Sequence, residues 1–455
     1  MKRKAIIIAI VLISITITFS FIIYELGFKS QSIPSSPFSG ALWQRPIEHF
    51  ANGLAVSSEK VITTDNSGNV NCFDNKNGES FWNSSLIGGS HDITFLGNRV
   101  YVGFINSQVG CFDLDTGALL WSFNNAQAPN SWYEGSPRII VNDGRVFAIT
   151  NTISAHNATT GEFLWQAIPN TTNFNVSFSQ EGQMNVFPLS GDPFDGKYVY
   201  AIGGDFSEMY YFKINTENGS VIWRSSVTWD GTFLTFGADI QALLPRVLAI
   251  SQEKVIINII VQEDYGVNLL LCLDSTTGKE LWRIDVGAKV YNPAVYNDLL
   301  LFGAADDYFY ALDLADGTVA WKTKVDAHNL SSSGVHSSSP IQIDSDNQWI
   351  FWSYAVEEKE TSNYTGAIIS LNLADGNVMW TTQTNSSCGG LAFNNLTDML
   401  FLTTDRFAAD IDFWIFNAST GDLIHYQQFD HYILPPIVLE NETFVAADLW
   451  LSSYS

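Results

Sequence analysis

One phrase returns along the whole chain and limits what the chain can become. It is clearest as CFDLDTGALLW, residues 111–121, and as ALDLADGTVAW, residues 311–321. An apolar run reaches Asp or Asn, three residues follow, then Gly, then three more and Trp. The phrase ends at Trp82, Trp121, Trp165, Trp223, Trp282, Trp321 and Trp380. An eighth copy, IFNASTGDLIH, ends at His425, and a shortened one, SGALW, ends at Trp43. The Gly is always four residues earlier, at Gly78, Gly117, Gly161, Gly219, Gly278, Gly317, Gly376 and Gly421. The turn position holds only Asp74, Asp113, Asn157, Asn215, Asp274, Asp313, Asn372 and Asn417. Steps between successive ends are 39, 39, 44, 58, 59, 39, 59 and 45 residues. The floor of 39 is one structural unit, and the longer steps are that unit with insertions.

The phrase reads as a hairpin. Alternating Val, Tyr, Phe and Leu before the Asp suit a strand. A short Asp or Asn side chain bonds the backbone of the turn after it, and Gly supplies positive φ. The Trp on the following strand carries enough apolar area to close the gap to a neighbouring unit. Two earlier strand signals precede each phrase, as in NPAVYND-LLLFGAADD before Tyr308. Four short strands per unit, repeated radially, make an all-β β-propeller of four-stranded blades; a solenoid of sheets is the rival. Trp43 opens the repeat region with a last-strand signal alone. The stretch PPIVLENETFVAADLWLSSY reads as three strands without a last one. The N-terminal strand is therefore expected to close the last blade and hide its edges. Eight blades are favoured, with one unit as an extension; a strict count of last strands keeps nine open.

The phrase resembles the tryptophan-docking motif of the PQQ-like β-propeller repeats, written A-x-D-x-x-x-G-x-x-x-W, which ALDLADGTVAW matches in full. The resemblance covers residues 41–455. It implies a BamB-like or quinoprotein-like propeller, a family holding both non-enzymatic scaffolds and quinoprotein dehydrogenases, so it argues architecture and not activity. The dehydrogenases' resemblance would imply PQQ at the axis, calcium on acidic and amide ligands, a catalytic Asp and a vicinal Cys pair. No Cys-Cys pair is present, and their metal-ligand motifs find no residue-by-residue match. No catalytic residue and no metal ligand is assigned, and no cofactor is expected. PQQ and calcium belong to the alternative alone.

Composition narrows the partners. Lys plus Arg number 22 against 47 Asp plus Glu, a formal charge of −25, which repels nucleic acid and anionic lipid. Cys72, Cys111 and Cys272 share one slot, two before the turn position, where other units place Ala155, Ala311 or Ser370. They read as buried structural thiols. Cys388, in NSSCGG, lies outside the slot and can be exposed. No GxSxG, HExxH or P-loop is present. Asp344, Asp346 and Gln348 alternate like part of a calcium loop but lack its Gly and distal Glu, and read as a turn.

The N-terminus divides into a basic stub at 1–4, an uncharged run at 5–24 and a Ser/Pro-rich tether at 25–40. Twenty apolar residues suffice to span a bilayer as a transmembrane helix. Lys2, Arg3 and Lys4 before them place the N-terminus in the cytoplasm and the propeller outside. No small-x-small site follows, so an uncleaved single-pass anchor is favoured over a signal peptide. Sequons begin at Asn83, Asn157, Asn170, Asn175, Asn218, Asn329, Asn363, Asn385, Asn395, Asn417 and Asn441, which on an exported chain support glycosylation.

The stretches entering each unit's first strand ring a propeller axis. They bring His91, Asp92, Trp132, Tyr133, Glu134, Asp239, Gln241, Asn292 and His336 toward one rim. Aromatic rings beside carboxylates can grip a sugar, a peptide or a cation. The bland reading is that these groups satisfy one another. The expectation is a membrane-anchored, extracytoplasmic, non-catalytic scaffold for protein or glycan partners. The alternative is a PQQ-dependent dehydrogenase oxidising an alcohol or sugar.

Overall fold

A computed structural model describes residues 41–105, 107–124, 137–149, 153–167, 197–204, 209–226, 228–229, 232–233, 246–251, 253–260, 268–325, 332–337, 339–358, 364–384, 388–404, 411–429, 433–439, 442–447 and 450–454. The basic stub, apolar run and tether expected over 1–40 lie outside them. Every regular element among the described residues is a strand. The strands form nine antiparallel blade sheets and one small ribbon, Thr228–Trp229 with Thr232–Phe233.

Blade 1 runs outward from the axis through Ala51–Val56, Lys60–Asp65, Asn69–Asp74 and Ser80–Ser85. Blades 2 (90–124), 3 (138–167), 5 (246–285), 6 (290–324) and 8 (391–429) repeat that order. Blade 4 (198–226) shows three strands among the described residues. Blade 7 (332–384) carries an extra short strand, Gln342–Asp344, beside its second. Blade 9 is built from both ends of the repeat region: Ile437–Leu439, Glu442–Ala447 and Trp450–Tyr454, then Trp43–Pro46 outermost. The expected closure by an N-terminal strand is therefore found. The favoured count of eight is corrected to nine, because each last strand, including those of Trp43 and His425, has a sheet of its own and none serves as an extension.

Middle strands are packed on both faces. In blade 2, Val100, Tyr101, Val102, Phe104, Val109, Cys111 and Phe112 are all fully buried. Cores lie between blades. Ile62, Val70 and Cys72 of blade 1 pack with Val100, Val102 and Phe104 of blade 2, which removes apolar area from water at about 25 cal/mol per Å². Burial pushes the Cys72 and Cys272 thiols up to about 12 and Cys111 to about 11. Cys388, expected to be able to reach solvent, is buried as well. Its sulfur sits 3.6 Å from Thr384 Oγ1 and 3.9 Å from the Ala367 carbonyl.

The repeated phrase makes a joint. In blade 1 the Asp74 Oδ1 accepts the Lys76 and Asn77 amides at 2.8 and 3.0 Å, and the Gly78 amide donates to the Asp74 carbonyl at 2.9 Å. Gly78 then takes φ +69°. Over it lies an indole of the preceding blade: a Cβ on Gly78 would stand 2.4 Å from Trp43 Cε3. The same cover repeats for Gly117 under Trp82, Gly161 under Trp121, Gly219 under Trp165, Gly278 under Trp223, Gly317 under Trp282, Gly376 under Trp321 and Gly421 under Trp380. Indole Nε1 donates to the carbonyl just after the turn residue, as in Trp282 to Leu314 at 3.1 Å and Trp380 to Ala418 at 3.0 Å. Trp121 is the exception. The carbonyl it would use, Ala158, accepts the Tyr101 hydroxyl at 3.1 Å, and Trp121 Nε1 is buried without a partner.

Eight joints link nine blades, and the seam between blades 8 and 9 has none. The third and fourth strands of blade 9 come from opposite ends of the repeat region. No Asx-x-x-x-Gly turn connects them there. An indole at 425 would have no glycine to cover, and His425 stands in its place. Its Nε2 is buried without a partner, and its ring meets Phe413 edge-on at 6.4 Å. Phe413 in turn packs on Tyr454 of blade 9 at 5.3 Å.

Candidate functional site

First strands of successive blades lie side by side around the axis: blade 1 beside 2, 2 beside 3, 5 beside 6, 8 beside 9, and 9 beside 1. Five of them share an irregularity. The pairing of first and second strands skips Asn52 in blade 1, His91 in blade 2, Leu248 in blade 5, Asn292 and Pro293 in blade 6, and Ser333 and Gly334 in blade 7. A bulge sets its extra residue off the strand ladder and re-aims it. Of the residues singled out from sequence, Asn292 lies one step further in along its blade than His91. His91 shares its register with Asn52, which went unrecognised in sequence. The signal for it was the polar residue at the start of an otherwise apolar strand, ANGLAV.

Asn292 holds φ +34°, a left-handed value for a non-glycine residue, and donates from Nδ2 to the Ser339 carbonyl of blade 7 at 3.0 Å. Ser339 continues into a buried hydroxyl group: Ser353 Oγ donates to Ser339 Oγ at 2.6 Å, and Ser337 Oγ donates to the Ser353 carbonyl at 2.7 Å. Asn52 donates from Nδ2 to Asn66 Oδ1. Left-handed backbone outside hairpin turns is strain that the surrounding packing must hold in place.

Asp92, one residue past the blade 2 bulge, is turned the other way. It is buried, and its Oδ2 accepts the Ile139 amide of blade 3. Burial pushes its carboxyl up to about 6, against the opposing pull of the Ile139 amide and the Arg138 charge. It clasps two blades. Between pH 3.8 and about 6 the folded protein thus holds a proton on Asp92 that the unfolded chain has released. The burial penalty is felt fully above pH 6 and fades as pH falls through 6 toward 4. Asp92→Asn keeps an acceptor for Ile139. It is expected to raise stability at pH 7.5 by roughly 2 kcal/mol and to change it little at pH 4, read from urea midpoints at both values. Equal effects at the two pH values would show that the carboxyl is not the cause.

Of the other residues expected at the rim, His91 and His336 are placed by backbone alone, in Ser90–Leu96 and Ser332–His336. Trp132, Tyr133, Glu134, Asp239 and Gln241 lie outside the described residues. The calcium-like run at 344–348 is a hairpin turn: Asp344 Oδ1 accepts the Asp346 and Asn347 amides at 2.9 and 3.1 Å, and Oδ2 accepts Asn347 Nδ2 at 2.7 Å. Among the described residues no three His, Cys, Asp or Glu side chains converge to hold a metal ion. Asp92 and Asp344 are turned to backbone amides.

Comparison with known proteins follows the same lines. The family described as "Outer membrane protein assembly factor BamB" matches residues 37–227 and again 212–399. A curated relative, the outer membrane protein assembly factor BamB of Moranella endobia, is 22% identical over 311 residues, 65% of this chain and 73% of its own length. Among solved structures, BamB from Moraxella catarrhalis superposes with TM-score 0.52 at 16% identity, covering 84% of this chain and 99% of that one. Quinohemoprotein alcohol dehydrogenase from Comamonas testosteroni gives 0.51 at 11%, covering 91% and 76%. At such identities the structural likenesses concern the fold.

Proposed function

From the premise that the chain belongs to the BamB-like family of PQQ-repeat propellers, we propose that it is a non-catalytic assembly scaffold. It is held at the outer face of a membrane by the apolar run 5–24, and it takes a protein or glycan partner on the bulged axial rim. The observation that carries this reading is that five first strands carry a bulge. The bulges set Asn52, His91 and Asn292 off the ladder near the start of their strands, on a frame braced by indole joints. Rigid display of that kind is how loops and strand ends on a fixed frame bind. A partner would meet the rim at His91 and the strand starts beside it, since Asn52 is buried and bonded to Asn66 and Asn292 is bonded to Ser339. The curated relative's name, an assembly factor, agrees with such a role.

The test is site-specific photocrosslinking with the full chain in its own membranes. A photoreactive residue at His91 is expected to give a discrete adduct, and one at Gly97, on the hairpin at the far end of the same strand, none. Adducts of equal yield from both positions would overturn the rim as the binding surface. Dye-linked alcohol or sugar oxidation after addition of PQQ and calcium is expected to be absent, and turnover would establish the dehydrogenase reading instead.

A further inference from the structure

Five of the eleven sequons fall on described residues, and the fold sorts them. Asn157 and Asn417 occupy the turn position of the repeat. Asn157 Oδ1 accepts the Thr159 and Thr160 amides at 2.8 and 3.0 Å. Asn417 Oδ1 accepts Thr420 at 2.9 Å, while its Nδ2 donates to Asp398 Oδ2 at 3.0 Å. The residue after each, Ala158 or Ala418, is buried. The turn demands Asx at this place, so these two sequons are by-products of the joint. Asn83 is exposed, but it lies within an outer strand and its Nδ2 donates to Asn71 Oδ1 at 2.5 Å.

Asn218 and Asn395 differ. Both are exposed and both lie between strands. Asn218 sits at the tip of the blade 4 turn, its Oδ1 accepting the Ser220 amide at 2.9 Å. Asn395 sits in the hairpin joining Leu391–Asn394 to Met399–Thr403, beside Leu396, which is 67% exposed. Among the described residues neither side chain donates a hydrogen bond from Nδ2. Asn218 fills the place before the repeat glycine, where other copies put Asn, Thr or Asp to accept the amide two residues on, but that bond takes only its oxygen; Asn395 lies outside the repeated phrase.

We infer that Asn218 and Asn395 carry N-linked oligosaccharide, and that Asn83, Asn157 and Asn417 do not. In the transfer, Nδ2 attacks the anomeric carbon of a lipid-diphosphate-linked oligosaccharide. A C–N bond forms and the C–O bond to the diphosphate breaks. The lipid diphosphate leaves with the electron pair, and the amide proton passes to solvent. Transfer to an emerging chain requires only that the finished fold leave room for the sugar, which it does at these two tips. The inference rests on the propeller lying outside the cytoplasm.

The experiment takes the full chain from the cells that make it. Peptide mass spectrometry reads occupancy at each sequon, and added protease on intact cells reads the compartment. The expected result is cleavage by external protease with sugar mass on the peptides holding Asn218 and Asn395. Asn218→Gln and Asn395→Gln should each remove one increment from the intact mass. Protection from external protease overturns the export reading. External access with bare Asn218 and Asn395, or with sugar on Asn157 or Asn417, overturns the assignment while leaving export standing.

Discussion

Gly117→Ala is expected to cost about 4 kcal/mol, the sum of two separate faults. The new Cβ would stand 2.5 Å from Trp82 Cδ2 and Cε3, which forces the indole off its seat, and overpacking of this kind costs roughly 1–3 kcal/mol. It would also hold an L-residue at φ +71°, worth about 1–2 kcal/mol more. Gly144→Ala separates the two. Gly144 holds φ +70° in a hairpin, with nothing within 4 Å of a Cβ, so only the strain should appear. Urea midpoints and slopes for both variants decide the matter. Equal losses at the two positions would mean that the glycine of the repeat serves backbone geometry alone and that the indole cover contributes nothing.

Trp282→Ala is the second large effect, expected at about 3–5 kcal/mol. The indole is packed over Gly317 and bonded to the Leu314 carbonyl at 3.1 Å, so truncation empties the joint and leaves a buried acceptor unpaired. His425→Ala, at the corresponding place in blade 8, should cost less than about 1 kcal/mol, because no glycine turn receives that side chain and its Nε2 is buried without a partner. Phe substitutions divide packing from hydrogen bonding. Trp282→Phe should lose about 1 kcal/mol more than Trp121→Phe, since Trp121 Nε1 has no partner to lose. A His425→Ala loss as large as that of Trp282→Ala would mean that the seam is as firmly joined as the other interfaces.

The joint itself was legible in the sequence because its parts are local: an Asx that bonds its own turn, a glycine four residues on, and a Trp four after that. Half of the glycine's purpose was not. Positive φ can be read from the turn, but the indole pressing on Gly117 belongs to Trp82, one blade earlier, and only packing shows it. His425 read as a worn copy of the phrase. It is the one position whose partner turn does not exist, because blade 9 is assembled from both ends. Eight blades require one last strand to serve as an extension; the strict count of last strands gives the nine that the sheets form. On the first strands, position alone singles out His91 and Asn292, and the bulges that hold them are not visible in sequence. A bulge depends on the register of a second strand, which alternation in the first cannot reveal. Asp92, its neighbour, was placed with them because one residue along a strand looks alike in sequence and faces oppositely in space.

The pairing of Trp43 with Ser453 has a consequence for how the protein is made. Residues about 410 positions apart must meet in one sheet, and contacts of such long range form slowly, after the local hairpins. A ribosome-bound chain can raise blades 1 to 8 in order, yet its first strand waits with no partner until the final three arrive. Resistance to protease should therefore come late and at once, when the strands at 437–454 have emerged. Until then a nascent chain leaves the outer faces of blades 1 and 8 for a chaperone to shield.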